Sequence, residues 1–160
     1  MHGSGVSVRF DVRVEGGLGP PARGFASEVE QILFSPRGWR RAGYAFQRVG
    51  SGAVDFRVIL ASPALTDRLC APALTLGVFS CHNAGRVVIN FTRWMDGATS
   101  YRGDLGRYRV YVVNHEVGHA LGRGHLSCPG AGLPAPVMMQ QTKGVGACRT
   151  NPWPLAYERD

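Results

Sequence analysis

Residues 115–125 read HEVGHALGRGH, and this stretch decides how the rest of the chain is interpreted. It fits the pattern H-E-x-x-H-x-x-G-x-x-H. His115 and His119 are four residues apart, so on a helix they lie on the same face, one turn apart. Two imidazoles in that arrangement can bind one metal ion, and Glu116 beside them can act on a water bound to the ion. The stretch therefore predicts a metal-binding helix that carries a general base.

A third ligand requires the chain to turn sharply after the helix. Gly122 suits this turn because glycine tolerates the positive φ of a helix C-terminus, and His125 then returns to complete a three-histidine site. Three protein ligands leave one position open, which is the arrangement of a catalytic zinc. Two other interpretations stay open: unrelated polar residues on a buried helix, and a zinc site without catalysis. Glu116 argues against the latter, because a structural site has no use for it.

The bulk properties indicate one globular domain over residues 1–160. The length suffices for one core, 44% of the residues are hydrophobic and 18% are charged. No apolar run approaches the length of a membrane span. Residues 1–5 (MHGSG) have no charged or apolar signal region and are expected to be a cloning remnant. If the protein is exported, its signal or anchor lies outside this sequence.

The net charge of +7 comes almost wholly from arginine, since Lys143 is the only lysine. Such a balance is compatible with nucleic acid, an anionic cell surface or acidic substrates as partners. The arginines are scattered, however, and no groove-reading motif accompanies them. We therefore expect a solvated basic surface and no nucleic-acid partner.

The four cysteines have no C-x-x-C spacing, so neither a cysteine zinc site nor a thioredoxin-type motif is expected. An even number in a small basic domain predicts two disulfides and an oxidising compartment. Of the three possible pairings we favour Cys70–Cys81 with Cys128–Cys148. Each closes a short loop, worth roughly 3 kcal/mol in the chain-entropy model. Four buried free thiols remain the alternative.

The hydrophobic pattern before the motif predicts strands around one helix. Strict alternation predicts a half-buried strand over Val6–Val14, and apolar residues at helical spacing predict a helix over Phe25–Phe34. Residues 44–49 and 54–61 resemble two further strands, joined by a turn at residues 50–52.

The next segment contains weaker signals. A short turn containing Pro63 is expected to lead to Cys70, followed by a short strand within residues 74–80 and a stronger strand over residues 86–91. Residues 96–103 are expected to form a loop, and Asp104 is a plausible N-cap for the helix that carries the histidines. Regular structure should largely stop after residue 125. The fold class predicted is α+β, with a mixed sheet of about five strands and two main helices.

Beyond the helix motif, residues 136–140 read PVMMQ, and together the two stretches resemble the metzincin zinc metallopeptidases with their Met-turn. The order of elements is also similar to the metzincin layout. More narrowly, residues 113–119 and 135–142 resemble an actinobacterial domain family of unknown function whose members are typically exported or membrane-anchored. This resemblance implies a twisted sheet with a backing helix and an active-site helix, an upper subdomain over residues 6–125 and a lower C-terminal subdomain over residues 126–160.

The same resemblance implies roles for individual residues. His115, His119 and His125 would bind one zinc ion, and Glu116 would be the general base. Met138 would lie beneath the three imidazoles as the turn methionine, with Met139 as a close second. Some metzincins have a tyrosine two residues after that methionine; here Gln140 or Gln141 stands there, so this assistance is absent or supplied otherwise.

The function predicted is that of a zinc-dependent endopeptidase, in which Glu116 activates a zinc-bound water for attack on a peptide bond. The substrate would be a peptide or protein lying extended along an edge strand, which we expect within residues 76–80. Tyr111 and Asn114 are candidates for support of the site. An exported or cell-surface monomer is expected. The alternative function is a catalytically inactive zinc-holding domain that binds a cell-surface ligand.

Overall fold

The computed structural model describes residues 5–160, so all but Gly5 of the expected cloning remnant lies outside the described residues. Nine regular elements form its framework. The strands are β1 (Val6–Val14), β2 (Tyr44–Arg48), β3 (Phe56–Ala61), β4 (Cys81–Asn83) and β5 (Arg86–Asn90). The helices are α1 (Phe25–Phe34), α2 (Pro63–Cys70), α3 (Phe91–Asp96) and α4 (Leu105–Ala120). The fold is therefore a mixed α/β arrangement with five strands and four helices among the described residues, and the predicted five-stranded mixed sheet is confirmed.

The sheet has the strand order β2-β1-β3-β5-β4. β1 pairs in parallel with both β2 and β3, and β3 pairs in parallel with β5. The turn after β2 therefore joins two strands that do not pair, because β1 lies between them. The alternating residues of β1 place Val8 and Phe10 in the core and leave Arg9 exposed.

The edge strand differs from the one predicted. Residues 74–80 form a turn, in which Leu76 and Gly77 have φ angles of 56° and 67° and the Val78 N–H donates to the Thr75 carbonyl. Such left-handed backbone cannot continue a strand. The predicted strand over residues 76–80 is therefore wrong, and the edge is formed by β4, which pairs antiparallel with β5.

Two short helices replace expected irregular segments. The turn expected at Pro63 is the first turn of α2, where Ser62 caps the helix by accepting from the Leu65 N–H. The helix α3 follows β5 without a gap, and the Asn90 side chain accepts from the Thr92 and Arg93 N–H groups. Both helices begin at good N-caps, and proline at the first position of α2 fits the fixed φ of that site.

The core lies between one face of the sheet and the helices α1 and α4. Its fully buried side chains are large, and many are aromatic: Phe10, Phe25, Leu33, Trp39, Phe46, Phe56, Leu60, Ile89, Trp94, Tyr108, Tyr111 and Met138. A smaller cluster on the other face packs α2 against β3 and β5, and its buried members are Ala61, Cys70, Cys81 and Val88. Among the described residues, no helix has the length and hydropathy needed to cross a membrane.

Beyond residue 125 the chain contains short 3-10 turns and one isolated β-bridge, between Pro134 and Arg149, so regular structure largely stops there, as predicted. The Cys128–Cys148 disulfide and a network of side-chain contacts order it. Within that network the Asn151 amide donates to the carbonyls of Ala135 and Trp153, and the guanidinium of Arg37 lies over the Trp153 ring. The Arg37–Trp153 contact and a hydrogen bond from the Asn114 amide to the Pro152 carbonyl hold this segment against earlier parts of the chain.

Candidate metal centre

The helix α4 forms although its central residues are β-branched. The Asp104 side chain accepts from the Arg107 N–H, as the N-cap prediction required. Tertiary packing then offsets the low helix propensity, since Tyr108 and Val113 are fully buried against the sheet and α1. His115 and His119 therefore lie on consecutive turns of a helix that the core holds in place.

Gly122 ends the helix as the sequence predicted. Its φ is 85°, and its N–H donates to the His119 carbonyl while the Arg123 N–H donates to the Gly118 carbonyl. These two bonds form a Schellman motif, which reverses the direction of the chain. The turn brings His125 back toward the helix.

The three predicted ligands converge on one point. Their candidate ligand atoms all lie within 4.8 Å of one another. The Nε2 atoms of His119 and His125 are 3.0 Å apart. Two ligands at tetrahedral angles with zinc–nitrogen bonds of 2.0–2.1 Å would be about 3.3 Å apart. His115, His119 and His125 could therefore hold a metal ion without a large rearrangement.

Hydrogen bonds fix the orientation of two of the rings. The Nδ1 atom of His115 lies 2.8 Å from the Val137 carbonyl oxygen, and Nδ1 of His119 lies 2.8 Å from the Arg123 carbonyl oxygen. A carbonyl only accepts, so each Nδ1 carries the proton and each Nε2 keeps its lone pair for a cation. Burial also lowers the pKa of His115 to about 3 and the pKa of His119 below its usual value. Neutral imidazoles are the form that binds a metal.

His125 is exposed and has a different neighbour. The side-chain amide of Gln140 lies 2.8 Å from its Nδ1. The sequence left open whether Gln140 or Gln141 stands at the position where some metzincins have a tyrosine. In the structure Gln140 is the one that contacts His125. Gln141 is fully buried elsewhere, where it accepts from the Tyr101 hydroxyl and donates to the Pro136 carbonyl.

Glu116 faces a cavity of about 450 Å³ that the three histidines also line. Glu116 is 6% exposed, and among the described residues no group donates a hydrogen bond to its carboxylate. Burial raises the pKa of this carboxyl to about 8. An acid in such surroundings can change its protonation state near neutral pH, as a general acid or base must.

Met138, rather than Met139, packs beneath α4. Met138 is 1% exposed, and its sulfur lies so close to Gly118 that a side chain there would overlap it. The Val137 carbonyl before it orients His115, and its own carbonyl accepts from the Leu126 N–H. Met139 is only half-buried, and its carbonyl accepts from the Tyr111 hydroxyl.

The other two candidates for support differ in their contacts. The Tyr111 ring centroid lies 5.4 Å from that of His115, and its hydroxyl holds the backbone of Met139 and Gln141. Asn114 instead donates to the Pro152 carbonyl, and its backbone carbonyl accepts from the Trp39 indole. Tyr111 therefore borders the site, whereas Asn114 joins the helix to the C-terminal segment.

Both favoured disulfides are present in the structure. The Cys70–Cys81 bond joins the last residue of α2 to the first residue of β4, and Cys81 lines the cavity. The Cys128–Cys148 bond closes the segment that follows the third histidine. Each disulfide therefore constrains one side of the site.

Three residues of the site escaped the sequence analysis. His82 lies on β4, and Lys143 follows the turn at residues 137–139, the Met138 turn. Both residues line the cavity. Glu158 is buried, and its carboxylate accepts from the backbone N–H groups of Val137 and Met138. None of the three belongs to a local motif, so only the fold brings them together with His115.

Comparisons with known proteins give one family and several solved structures. The model of the family described as "Protein of unknown function (DUF3152)" matches residues 2–156. No curated protein matches the sequence. Eight chains of solved structures match. One of these, titled "Structure of Myroilysin", is 23% identical, with a TM-score of 0.44 over 83% of this chain and 48% of that one. The chain thus spans about half the length of that structure.

Proposed function

The chain belongs to the DUF3152 family of proteins of unknown function, and we propose that it is a zinc-dependent endopeptidase of the metzincin type. One observation carries this proposal. Three histidine nitrogens that could hold a metal ion border the same cavity as a buried, unpartnered carboxyl, that of Glu116.

The donor set fits zinc. Three imidazoles, two of them held by carbonyl acceptors at Nδ1, are typical ligands of a catalytic zinc with an open position. Zinc, when bound, lowers the pKa of water toward neutrality and polarises a peptide carbonyl. The absence of carboxylate and cysteine from the cluster argues against calcium or a closed structural zinc site.

Glu116 would perform the proton transfers. It takes a proton from the attacking water as the new carbon–oxygen bond forms, and it passes that proton to the amine nitrogen as the carbon–nitrogen bond breaks. Its pKa of about 8 in the protein alone is set by burial. A cation held by the neighbouring histidines favours the ionised form and so prepares Glu116 to act as the base.

The substrate would lie across the cavity as an extended peptide. The edge strand β4 pairs only with β5 among the described residues, so its other edge can hydrogen-bond a peptide backbone. His82 of β4 and Gln140 line the cavity that the peptide would cross. This geometry supports a peptide or protein as the proposed substrate.

An exported or cell-surface location fits the same proposal. Both disulfides require an oxidising compartment in which to form and persist. We expect the domain to act there as a monomer, since no second subunit is needed to complete the ligand set.

The test combines metal analysis with digestion of a peptide library. The wild-type protein should bind one zinc ion and cleave peptides internally. Glu116→Ala should keep the zinc and lose cleavage, whereas His119→Ala should lose both. Glu30→Ala provides a control, because Glu30 pairs only with Arg48 at the surface.

Two results would contradict this function. Cleavage that survives intact in Glu116→Ala would refute the assigned base. Zinc bound by the wild type together with no cleavage of any library member would favour the alternative, a zinc-holding domain that binds a cell-surface ligand without hydrolysis.

A further inference from the structure

Lys143 extends into the cavity from the segment that follows the Met138 turn. It ends the short 3-10 turn Gln141–Lys143 and lines the cavity together with Glu116 and His125. Its ammonium lies 5.1 Å from the centroid of the Phe79 ring, which belongs to the loop before β4. The contact therefore joins two segments that border the cavity, and it places the cation where a bound peptide would pass.

No acidic side chain among the described residues pairs with the charge of Lys143. Among the described residues that line the cavity, it is the only lysine or arginine, and Glu116 is the only acid. These two are not an ion pair, and none of the described acids lies within ion-pairing distance of the ammonium. A cation–π contact leaves the N–H donors of an ammonium free to bind an acceptor.

Lys143 also lies on the metal-binding side of the cavity. It lines this cavity together with His119 and His125, and it borders a neighbouring cavity together with His125 and Gln140. The ammonium therefore lies on the same side as the histidines and is separate from the base, Glu116. A substrate that reaches both groups would offer its scissile bond to Glu116 and an anion to Lys143.

We propose that Lys143 binds a carboxylate of the substrate, so that the cavity selects peptides that present a carboxylate near the scissile bond. This inference rests on the proposed peptidase function. The carboxylate has two possible sources with the same chemistry: an aspartate or glutamate side chain near the scissile bond, or the free C-terminus of a short peptide. A single ammonium oriented by Phe79 would recognise either.

The experiment compares matched peptides. One series carries Glu, Gln or Lys at each position within three residues of the cleaved bond, always with an amidated C-terminus. A second series is neutral and ends in either a carboxylate or an amide. The cleavage rate is measured for each pair, and binding of the same labelled peptides to zinc-loaded Glu116→Ala is measured by fluorescence anisotropy.

We expect the peptide with the carboxylate in one of these pairs to be cleaved and bound about tenfold better than its neutral partner. A tenfold ratio is typical of one partly exposed charge-assisted hydrogen bond. Lys143→Gln should bring that ratio close to one, and Lys143→Glu should reverse it in favour of peptides with Lys at the same position. Lys143→Arg should keep the preference. Arg23→Gln removes the same charge from an exposed residue outside the cavity and should leave the ratio as in the wild type.

The cleavage measurement (the cleavage arm) and the binding measurement (the binding arm) distinguish failure of the Lys143 inference from failure of the proposed peptidase function. A carboxylate preference in the binding arm that disappears in Lys143→Glu supports the inference even if cleavage is absent. Equal cleavage and equal binding of every acidic and neutral pair would overturn the inference while leaving the peptidase function intact. A preference that persists unchanged in Lys143→Glu would also overturn it, because another group would then be the anion site.

Discussion

The carboxylate of Glu158 accepts a hydrogen bond of 2.8 Å from the backbone N–H of Met138, twenty residues earlier in the chain. Its other oxygen accepts from the N–H groups of Val137 and Leu155. The same Val137 presents its carbonyl to the first histidine of the cluster. The buried acid Glu158 therefore fixes the backbone that orients His115, one of the three candidate metal ligands.

Glu158→Gln should destabilise the protein by about 2 kcal/mol, because an amide presents only one acceptor oxygen and leaves an N–H of Val137, Met138 or Leu155 unpaired. Urea unfolding of the zinc-free protein measures the loss. Glu30→Gln is the matched control, since the Glu30–Arg48 pair is solvent-exposed and should contribute less than about 0.5 kcal/mol. Equal effects of the two substitutions would contradict the role assigned to Glu158.

Gln140 should tune the affinity for zinc through His125. The side-chain nitrogen of Gln140 lies 2.8 Å from Nδ1 of His125. When His125 binds a cation through Nε2, its Nδ1 carries a proton, and rotation of the Gln140 amide by about 180° brings the amide oxygen to that position to accept it. Gln140→Leu removes the acceptor, and we expect it to weaken zinc binding by about 10- to 100-fold. Gln140→Glu keeps an acceptor and should bind zinc at least as tightly as the wild type.

Competition with a chromophoric chelator gives this affinity without relying on catalysis. Thr142→Val is a useful control, because Thr142 lines the same cavity but contacts the Tyr108 hydroxyl and not a histidine. If Gln140→Leu binds zinc as tightly as the wild type, the contact with His125 has no role in holding the metal.

The sequence predicted the parts of this site that are local. The spacing of His115 and His119, the glycine at residue 122 and the N-cap at Asp104 each follow from helix geometry, and the structure has all three features. The alternation in β1 and the helical spacing in α1 are equally local, and both elements are confirmed. Short-range periodicity and capping are enough to locate such elements.

The features that sequence analysis missed depend on contacts between distant residues. The sequence predicts a short strand within residues 74–80. In the structure, however, the side chains of Leu74 and Leu76 are exposed, and the backbone turns at Gly77. The helices α2 and α3 are only 8 and 6 residues long, too short for a periodic pattern to show. Glu158 reaches the site only because the C-terminal segment packs back on the Met138 turn, which no local signal encodes.

Asp11 should make the stability of the protein depend on pH in the acid range. Its burial acts to raise the pKa of the carboxyl, but the hydrogen bond and charge of Arg57, helped by Arg13, outweigh this and hold the pKa below 3.8. A folded-state pKa below the unfolded value means that the ionised carboxylate stabilises the folded state. This contribution is present above about pH 3.8 and is lost as the pH falls through the lower, folded-state pKa.

Asp11→Asn should therefore lower the stability at pH 7 by about 1 kcal/mol, since Arg57 is partly exposed. The difference from the wild type should shrink as the pH falls below about 3.8 and through the lower, folded-state pKa of Asp11. Urea unfolding of both proteins across this range measures it, and all other titrating groups cancel in the difference. Asp96 is exposed, so the stability difference between Asp96→Asn and the wild type should be smaller and should vary less with pH. A gap between wild type and Asp11→Asn that grows as the pH falls would have the wrong sign for this account.

Gly118 and Gly106 offer a paired test of how closely α4 approaches the Met138 turn. Both glycines lie in the helix, where alanine is the better helix former. At Gly118, however, an added Cβ would overlap the sulfur of Met138 and lie 2.8 Å from Cζ2 of the Trp39 ring. At Gly106 the nearest atom is the Asp104 side-chain oxygen, 4.0 Å away. The two substitutions add the same methyl group to the same helix, one in a filled space and one in an open space.

We expect Gly118→Ala to destabilise the protein by about 1–3 kcal/mol through overpacking, and Gly106→Ala to stabilise it by about 0.5 kcal/mol through the reduced entropy of the unfolded chain. Thermal and urea unfolding of the zinc-free variants measure both effects. We also expect Gly118→Ala to weaken zinc binding, because Met138 directly follows Val137, and a displaced Met138 backbone would shift the Val137 carbonyl that orients His115. The double variant Gly118→Ala/Met138→Ala removes the overlap and should recover part of the zinc affinity. If Gly118→Ala is as stable as Gly106→Ala, then Met138 does not support the helix beneath the histidines.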